Sequence, residues 1–472
     1  MLPPLIRRQR RSAELRSKER GFTMALVAVS LVAIIAMAAL SIDIGTLYQA
    51  KAEAQRSADA AALTAARVIS ISGITGDPVN GASDTSWASI CGGTASPASL
   101  AAINVVQQNL IAGAVAPTAN INVYYGAGSA GASSLDCTGA GTNFGVNPVI
   151  KVTVQSANLP IFFARIFSLF GNNYSGNSVS ATASAELYNP SGSGLLPSGM
   201  IPVQPRCVKP LIVANYDPGN SGNLLVNSNG TIFNPGIKQL GGGVIGETFT
   251  VRSDCVPGQP NCHNGNMRDN PPTGTPNPGG YVDYIPASVS GNPGAVPACS
   301  TAGAFQQAMG GCDQTTVYSC GVSLFTPADL TINPGGTTGD TATAAQCLTH
   351  SAPTYSGADT LAGGTTPTFP FQIQAGGGNP LLNVGVTAGD TITSSSSIMT
   401  LPIGYFGSTQ LSGTQPLVTI GGYLQVFVQS IDPNGDLVVT VLNVAGCGNT
   451  VPQGATYITG TSPVPVRLIT TQ

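Results

Sequence analysis

The sequence predicts a membrane-anchored α+β protein. A long amino-terminal helix precedes a small α+β domain and a mainly-β, Gly/Pro-rich carboxy-terminal region with disulfides. Three observations predict this fold class: an uncharged apolar run near the amino terminus, short alternating segments among 59 Gly and 35 Pro, and ten cysteines that all follow the apolar run. Short strands between Gly- and Pro-containing turns are typical of β-rich domains.

The apolar run extends from Phe22 to Ile42 and contains no charged residue. A helix of this length covers about 30 Å, which is the thickness of the hydrocarbon core of a bilayer. Because no water is available there, a single segment satisfies its backbone only as a helix. The run therefore predicts a transmembrane helix over residues 21–42, after a basic cytoplasmic tail over residues 1–20.

The charges on either side of the run predict its orientation. Of the 18 Lys and Arg residues, seven precede the run, namely Arg7, Arg8, Arg10, Arg11, Arg16, Lys18 and Arg20. Positively charged flanks stay in the cytoplasm, so we expect a cytoplasmic amino terminus and an extracytoplasmic bulk. A cleaved signal peptide is the alternative, since Ala36, Ala38 and Ala39 offer small residues. The run is longer than a signal core, which favours an uncleaved anchor.

The overall composition excludes one class of partner. Charged residues make up 8% of the chain, against about 25% in ordinary soluble domains. The net charge of −3 gives no basis for nucleic-acid binding, and topology explains the basic amino terminus.

The helical pattern continues beyond the membrane to about residue 70. Alanine, the best helix former, is abundant there, and Ser72 with Gly73 is expected to end the helix. A narrow stripe of mostly small residues predicts a helix-packing face for another helix or a sheet. Its members are Ile44, Leu47, Ala54, Ala58, Ala61 and Ala65.

Residues 43–190 predict an extracytoplasmic helix and an α+β domain. Pro97 follows Ser96 at a first helical position, and strands are expected at 121–126, 149–155 and 178–188. The apolar segment 159–171 predicts a short helix. This helix either packs on the flanking strands, which we favour, or lies on the membrane surface with Arg165 among the headgroups.

A linker at 191–198 separates this domain from a mainly-β, disulfide-rich extracytoplasmic domain at 199–472. Its clearest element is a hairpin of strands 421–431 and 437–446 around Asp432–Asp436. We prefer this turn to a calcium loop, because no glutamate follows at the ligand position. A closing strand is expected at 464–470.

The cysteines indicate an oxidising compartment, because they are even in number and none lies in the tail or the anchor. The candidate disulfide cysteines are Cys91, Cys137, Cys207, Cys255, Cys262, Cys299, Cys312, Cys320, Cys347 and Cys447. Their spacing suggests small loops closed by Cys255 with Cys262 and by Cys312 with Cys320. For His263 and His350, each near a cysteine, we expect neither a catalytic nor a metal-binding role.

The amino-terminal 70 residues carry a specific pattern. Gly21 precedes the apolar span, Asp43, Gly45 and Tyr48 follow it, and residues 58–63 read ADAAAL. From Glu19 to Arg67 this pattern resembles the TadG-like amino-terminal domain of Flp, or tight-adherence, pilus-assembly proteins. A weaker similarity extends to about residue 188.

The resemblance implies a single-pass protein of a bacterial inner membrane that assembles or anchors a Flp pilus or a related secretion apparatus. Its partners would be proteins of the pilus-assembly machinery. The alternative is a TadG-anchored surface binding protein or adhesin that is unrelated to pilus assembly. We expect no enzymatic activity, no cofactor and no small-molecule substrate.

Two family features are missing from the sequence. Asp84–Ala88 lacks the last serine of the metal loop that some TadG-like proteins carry, so no metal site is predicted. Leu26 stands where processed pilins have glutamate, which argues against cleavage after Gly21.

Overall fold

The computed structural model describes the following residues: 5–73, 87–127, 131–140, 144, 148–159, 177–187, 205–220, 223–228, 230, 232–234, 236–253, 280–287, 289, 303–312, 316, 318, 323–325, 337–351, 357–405, 417–433, 435–446, 458–459 and 466–469. The chain forms two compact units. The first comprises Met1–Ala58, Val106–Ile121 and Thr153–Thr182, and the second comprises Asp59–Val105, Asn122–Val152 and Ala183–Gln472.

Five α-helices and seventeen strands lie in this part of the chain. The helices are α1 (Leu5–Ile71), α2 (Ala88–Cys91), α3 (Pro97–Gln108), α4 (Ala304–Gly310) and α5 (Thr337–Leu348). The strands are β1 (Ile121–Ala127), β2 (Ala132–Ser134), β3 (Pro148–Leu159), β4 (Asn177–Leu187), β5 (Pro205–Arg206), β6 (Leu211–Ala214), β7 (Thr248–Ser253), β8 (Tyr281–Pro286), β9 (Ser323–Phe325), β10 (Thr360–Leu361), β11 (Ile373–Gln374), β12 (Thr391–Ile392), β13 (Ile398–Tyr405), β14 (Leu417–Ile431), β15 (Leu437–Gly446), β16 (Ile458–Thr459) and β17 (Val466–Ile469).

The predicted amino-terminal helix is confirmed as α1, which is one uninterrupted helix of 67 residues. It begins at Leu5, well before the apolar run, and ends where the sequence predicts. The backbone N–H and the hydroxyl of Ser72 both donate to the carbonyl of Ile69. Gly73 then takes a left-handed conformation with φ of 100°, which a residue with a side chain adopts at a steric cost.

A five-stranded sheet has the strand order β17-β4-β3-β1-β2. Strands β1, β3 and β4 lie at the three strands that were predicted in this domain, at 121–126, 149–155 and 178–188. The outer strand β17 pairs antiparallel with β4, from Val466 opposite Leu187 to Ile469 opposite Ser184. The closing strand expected near the end of the chain therefore completes a sheet whose other members come from residues 121–187.

Six strands of the carboxy-terminal region close into a barrel in the order β13-β6-β8-β7-β15-β14, because β14 also pairs with β13. The pairs β13–β6 and β7–β8 are parallel, and the others are antiparallel. Strand β9 pairs antiparallel with the first residues of β14, Leu417–Thr419. Closure removes the exposed sheet edges that promote aggregation. The mainly-β prediction is confirmed, whereas the barrel was not predicted.

The predicted hairpin joins β14 and β15 in antiparallel register. In its turn, the N–H of Asp432 donates to the carbonyl of Asp436, and the N–H of Asp436 donates to a carboxylate oxygen of Asp432. Gly435 has φ of 86°, the left-handed region that favours glycine. The backbone thus uses Asp432 as a turn residue, as the hairpin prediction requires.

The end of α1 packs inside the second unit on a loop before β11. The N–H of Phe371 donates to the carbonyl of Ser72 over 3.1 Å. The Trp87 and Phe369 rings meet edge to face with centroids 5.1 Å apart, and Phe369 contacts Phe371 in the same way. Such aromatic pairs contribute about 0.5–1.5 kcal/mol beyond their buried area.

Two disulfides have both cysteines among the described residues. Cys91 bonds to Cys137, which ties α2 to a turn after β2, and Cys207 bonds to Cys312. The local loop between Cys312 and Cys320 is therefore wrong. Cys207, the partner of Cys312, lies 105 residues away in sequence. Next to this disulfide, the ammonium group of Lys209 donates to the carbonyl of Gly311.

Among the other cysteines, Cys347 is also disulfide-bonded. Cys255, Cys262, Cys299, Cys320 and Cys447 lie outside the described residues, as does the predicted loop between Cys255 and Cys262. The predicted helix at 159–171 also lies outside them, except for Leu159, which ends β3.

Replacing both Cys91 and Cys137 by Ala should lower the free energy of unfolding, since their bond spans 46 residues. Loop-closure entropy in the unfolded chain predicts a loss of about 4 kcal/mol. Thermal unfolding of the full chain in detergent, followed by circular dichroism, measures the effect. A reductant should lower the Tm of the parent protein more than that of the double variant. Equal Tm values for the two proteins without reductant would contradict the prediction.

Candidate functional site

The main candidate site is the surface of α1 between Phe22 and Ile42. All the large apolar side chains in this segment are exposed: Phe22, Met24, Leu26, Val27, Val29, Leu31, Val32, Ile34, Ile35, Met37, Leu40 and Ile42. Soluble proteins rarely expose a contiguous apolar patch of more than a few hundred Å². By length and composition the helix is sufficient to cross a membrane.

The two sides of α1 differ from Asp43 onward. Asp43 is buried, and Ala50 and Ala54 follow it on the covered side. Ile44 and Tyr48 lie on the open side, where Tyr48 is 74% exposed. The chain therefore begins to cover one side of the helix at the residue where the apolar run ends.

The covered side is the alanine stripe. Ala54, Ala58, Ala61 and Ala65 are completely buried, Leu47 is half-buried, and Ile44 is exposed. Alanine permits this burial because its methyl group lets neighbouring backbone approach closely. The contacts are intramolecular, and Tyr48 on the opposite side of the helix is exposed.

Polar side chains on α1 bind the backbone of other segments in the first unit. The ammonium group of Lys51 donates to the carbonyl of Ser180, and the amide of Gln55 donates to that of Thr182 over 3.1 Å. Both acceptors belong to β4. On a third side, a carboxylate oxygen of Glu53 accepts the N–H of Ala112 over 2.7 Å, and this hydrogen bond lowers the pKa of Glu53. No sequence pattern predicts these contacts, because backbone acceptors leave no signal in the sequence.

His350 belongs to a polar network before β13. Its Nδ1 lies 3.3 Å from the Ser396 hydroxyl. Burial lowers the pKa of His350, and the nearby charge of Asp359 opposes that effect. The Asp359 carboxylate accepts hydrogen bonds from the Ser395 hydroxyl, the Asn379 amide and the Gly376 N–H.

In a Ser–His–Asp catalyst the acid accepts an N–H of the histidine and orients it. In this network the carboxylate of Asp359 accepts from Gly376, Asn379 and Ser395, and the Ser395 hydroxyl also accepts the N–H of Ser397 directly before β13. His263 lies outside the described residues, and among those that are described no three His, Cys, Asp or Glu side chains converge as metal ligands would.

Lys209 is a fully buried lysine that the sequence analysis did not single out. Its ammonium group donates to the carbonyl of Gly311 over 2.5 Å, and its backbone N–H donates to the carbonyl of Thr400. Burial lowers the pKa of Lys209 to about 7. The pKa of lysine in an unfolded chain is 10.5, so the contribution of this group to stability is present above that pH and is lost as the pH falls to about 7.

Comparison with known proteins gives one match. Residues 21–68 match the model of the Tad family, described as Flp pilus-assembly TadE/G-like. This confirms the resemblance predicted for the amino-terminal segment. No curated protein and no solved structure matches the chain significantly. The matched residues coincide with the exposed apolar segment and the packed part of α1, and they exclude the barrel.

Replacing Ala58 by Leu should destabilise the protein by about 1–3 kcal/mol, because three carbon atoms enter a fully packed position. Leucine is nearly as good a helix former as alanine, so the loss would report packing. Ala52, which is exposed on the same helix, offers the matched control. Ala52→Leu should change stability by less than about 0.5 kcal/mol. Denaturant unfolding of the full chain measures both, and equal losses would contradict the assignment of the buried face.

Proposed function

We propose that this protein is a single-pass membrane protein that assembles or anchors a Flp pilus or a related secretion apparatus. The observation that carries the proposal is the match of residues 21–68 to the TadE/G-like family over a helix whose apolar half is exposed. The exposed half would lie in the bilayer, and the part from Asp43 onward would be extracytoplasmic. The asymmetry of Lys and Arg around the run supports this orientation.

The role we propose is mechanical and not enzymatic. Helix α1 has no break between the exposed apolar segment and the packed segment, so a force on the outer part would reach the membrane segment through backbone hydrogen bonds. The contacts of Lys51 and Gln55 with β4 join the helix to the strand just beyond the apolar run. The other proteins of the pilus machinery would be its partners.

A tethered surface binding protein or adhesin is the second candidate. It is favoured by the extent of the family match, which ends at residue 68 and leaves the six-stranded barrel without a counterpart. In that case the helix would only hold the barrel at the membrane, and the barrel would bind the ligand.

Removing this protein from its bacterial host should abolish or strongly reduce surface pili, if assembly depends on it. Pili are counted by electron microscopy, and the full chain supplied from a plasmid should restore them. Unchanged piliation and unchanged secretion would refute the assembly role. Normal piliation together with loss of surface adhesion would favour the tethered binder.

Membrane insertion is tested by the double variant Leu31→Arg/Ile35→Arg, which places two charges in the middle of the apolar run. Each arginine at the centre of a span costs about 2.5–3.5 kcal/mol, so the variant should leave the membrane fraction on alkaline extraction. Leu31→Ile/Ile35→Leu is the matched control and should remain. A reporter active only outside the cytoplasm, fused at residue 190, should be active. Activity of a reporter that works only in the cytoplasm would refute the orientation.

A further inference from the structure

The segment between β6 and β7 leaves the barrel and returns to it. Its described residues within 215–247, which we call the β6–β7 excursion, are held by local hydrogen bonds and by buried apolar side chains such as Val226 and Val244. The side-chain amide of Asn215 donates to the carbonyl of Val226 and accepts the N–H of the same residue. Isolated bridges pair Asp217 with Asn223 and Ile237 with Ile245.

Two buried carboxyl groups meet at the base of the excursion. Asp217 and Glu247, near its two ends, are 1% and 6% exposed, and both carboxyl groups lie against the backbone of Gly219. Asp217 also accepts the backbone N–H groups of Gly219 and Asn220, at 3.0 and 3.1 Å. The carbonyl of Glu247 accepts the N–H of Val441 in β15. The carboxyl pair therefore connects the first turn of the excursion to the barrel wall.

Two carboxyl groups buried against the same residue favour a proton on one of them. If both were ionised, two negative charges would lie close together away from water, which is strongly unfavourable. Burial, followed by the charge of Asp217, raises the pKa of Glu247 to about 7. The second oxygen of Glu247, Oε2, has no donor among the described groups.

The surroundings offer little compensating charge. The ammonium group of Lys238 lies 3.6 Å from Oε1 of Glu247, and the Lys238 side chain is 50% exposed, so solvent screens this ion pair. Burial raises the pKa of the Tyr216 phenol, and the charge of nearby Asp217 raises it further. The N–H of Val441 in β15 donates to the carbonyl of Glu247, and Gly219 of the excursion lies against the Glu247 carboxyl group.

The geometry favours a proton over a metal ion. A Cβ atom built on Gly219 would lie 2.0 Å from Oε1 and 2.4 Å from Oε2 of Glu247, so the carboxyl group rests directly against the backbone. A hydrated divalent cation with six or more ligands does not fit between such groups. Among the described residues no third acidic, histidine or cysteine side chain joins the pair.

We propose that Asp217 and Glu247 form a pH-sensitive latch, in which one shared proton holds the first turn of the β6–β7 excursion, residues 217–220, against the barrel wall and its loss releases that turn. The stabilisation is complete below the unfolded pKa of a glutamate, near 4.5, and is lost as the pH rises through about 7. A local opening of this turn would follow, while the rest of the excursion and the barrel strands stay packed.

Hydrogen exchange of the full chain in detergent tests the latch. Between about pH 5.5 and pH 8.5, and after correction for intrinsic exchange rates, protection of the amides of Gly219 and Asn220 should fall at least about tenfold. In Glu247→Gln the neutral amide still donates to Asp217, so protection should stay high and independent of pH. Asp390→Asn, which removes an acid from a different loop, should behave like the parent protein.

Lys238→Met gives a second test that does not depend on the folding of Glu247→Gln. Because Lys238 lowers the pKa of Glu247, its removal should shift the midpoint of opening to higher pH. An unchanged or lower midpoint would overturn the latch, as would an equal pH dependence in Glu247→Gln. Millimolar calcium is the last arm: recovery of protection at high pH, reversed by a chelator, would show a cation site and refute the proton latch.

Discussion

The structure depends on the continuity of helix α1. Each backbone group inside a helix is satisfied by another in the same segment, so one helix can pass from an apolar environment to a packed one without a break. Here the change occurs at Asp43, where large exposed side chains give way to a stripe of buried alanines. The same helix presents Lys51 and Gln55 to carbonyl groups of β4. These hydrogen bonds therefore fix the position of β4 along the helix within the first turns after the apolar run.

The β structure solves the problem of free edges in two ways. The barrel closes on itself through the β13–β14 pairing, which leaves none of its six strands unpaired on one side. The sheet instead receives β17 from far along the chain, and the ion pair of Arg467 with Glu186 accompanies this pairing. Both solutions also use pairings between strands distant in sequence, β6 with β13 and β7 with β15 in the barrel and β4 with β17 in the sheet. Both cover backbone groups that would otherwise recruit other chains.

The buried ionisable groups of the barrel region are unusual in a chain with so few charges. Lys209 donates to the carbonyl of Gly311, and Asp217 and Glu247 both lie against Gly219. Packing strands and disulfides around such groups desolvates them, and the cost of desolvation moves their protonation toward neutral pH. A region built mainly of Gly, Pro and small polar residues thus acquires a sensitivity to pH that its composition does not suggest.

The sequence by itself determined the elements that depend on local chemistry. The uncharged run predicted α1, and the Ser72–Gly73 pair predicted its end. The turn residues from Asp432 to Asp436 predicted the hairpin. Helix length, helix ends and turns can be predicted because they depend on residues that are neighbours in the chain. The ADAAAL segment was sufficient to indicate the family. Only the tertiary structure decided the Cys207–Cys312 bond, the place of β17, the closure of the barrel and the meeting of Asp217 with Glu247. These depend on contacts between residues far apart in the chain, and such contacts leave no periodic or spacing signal in a single sequence.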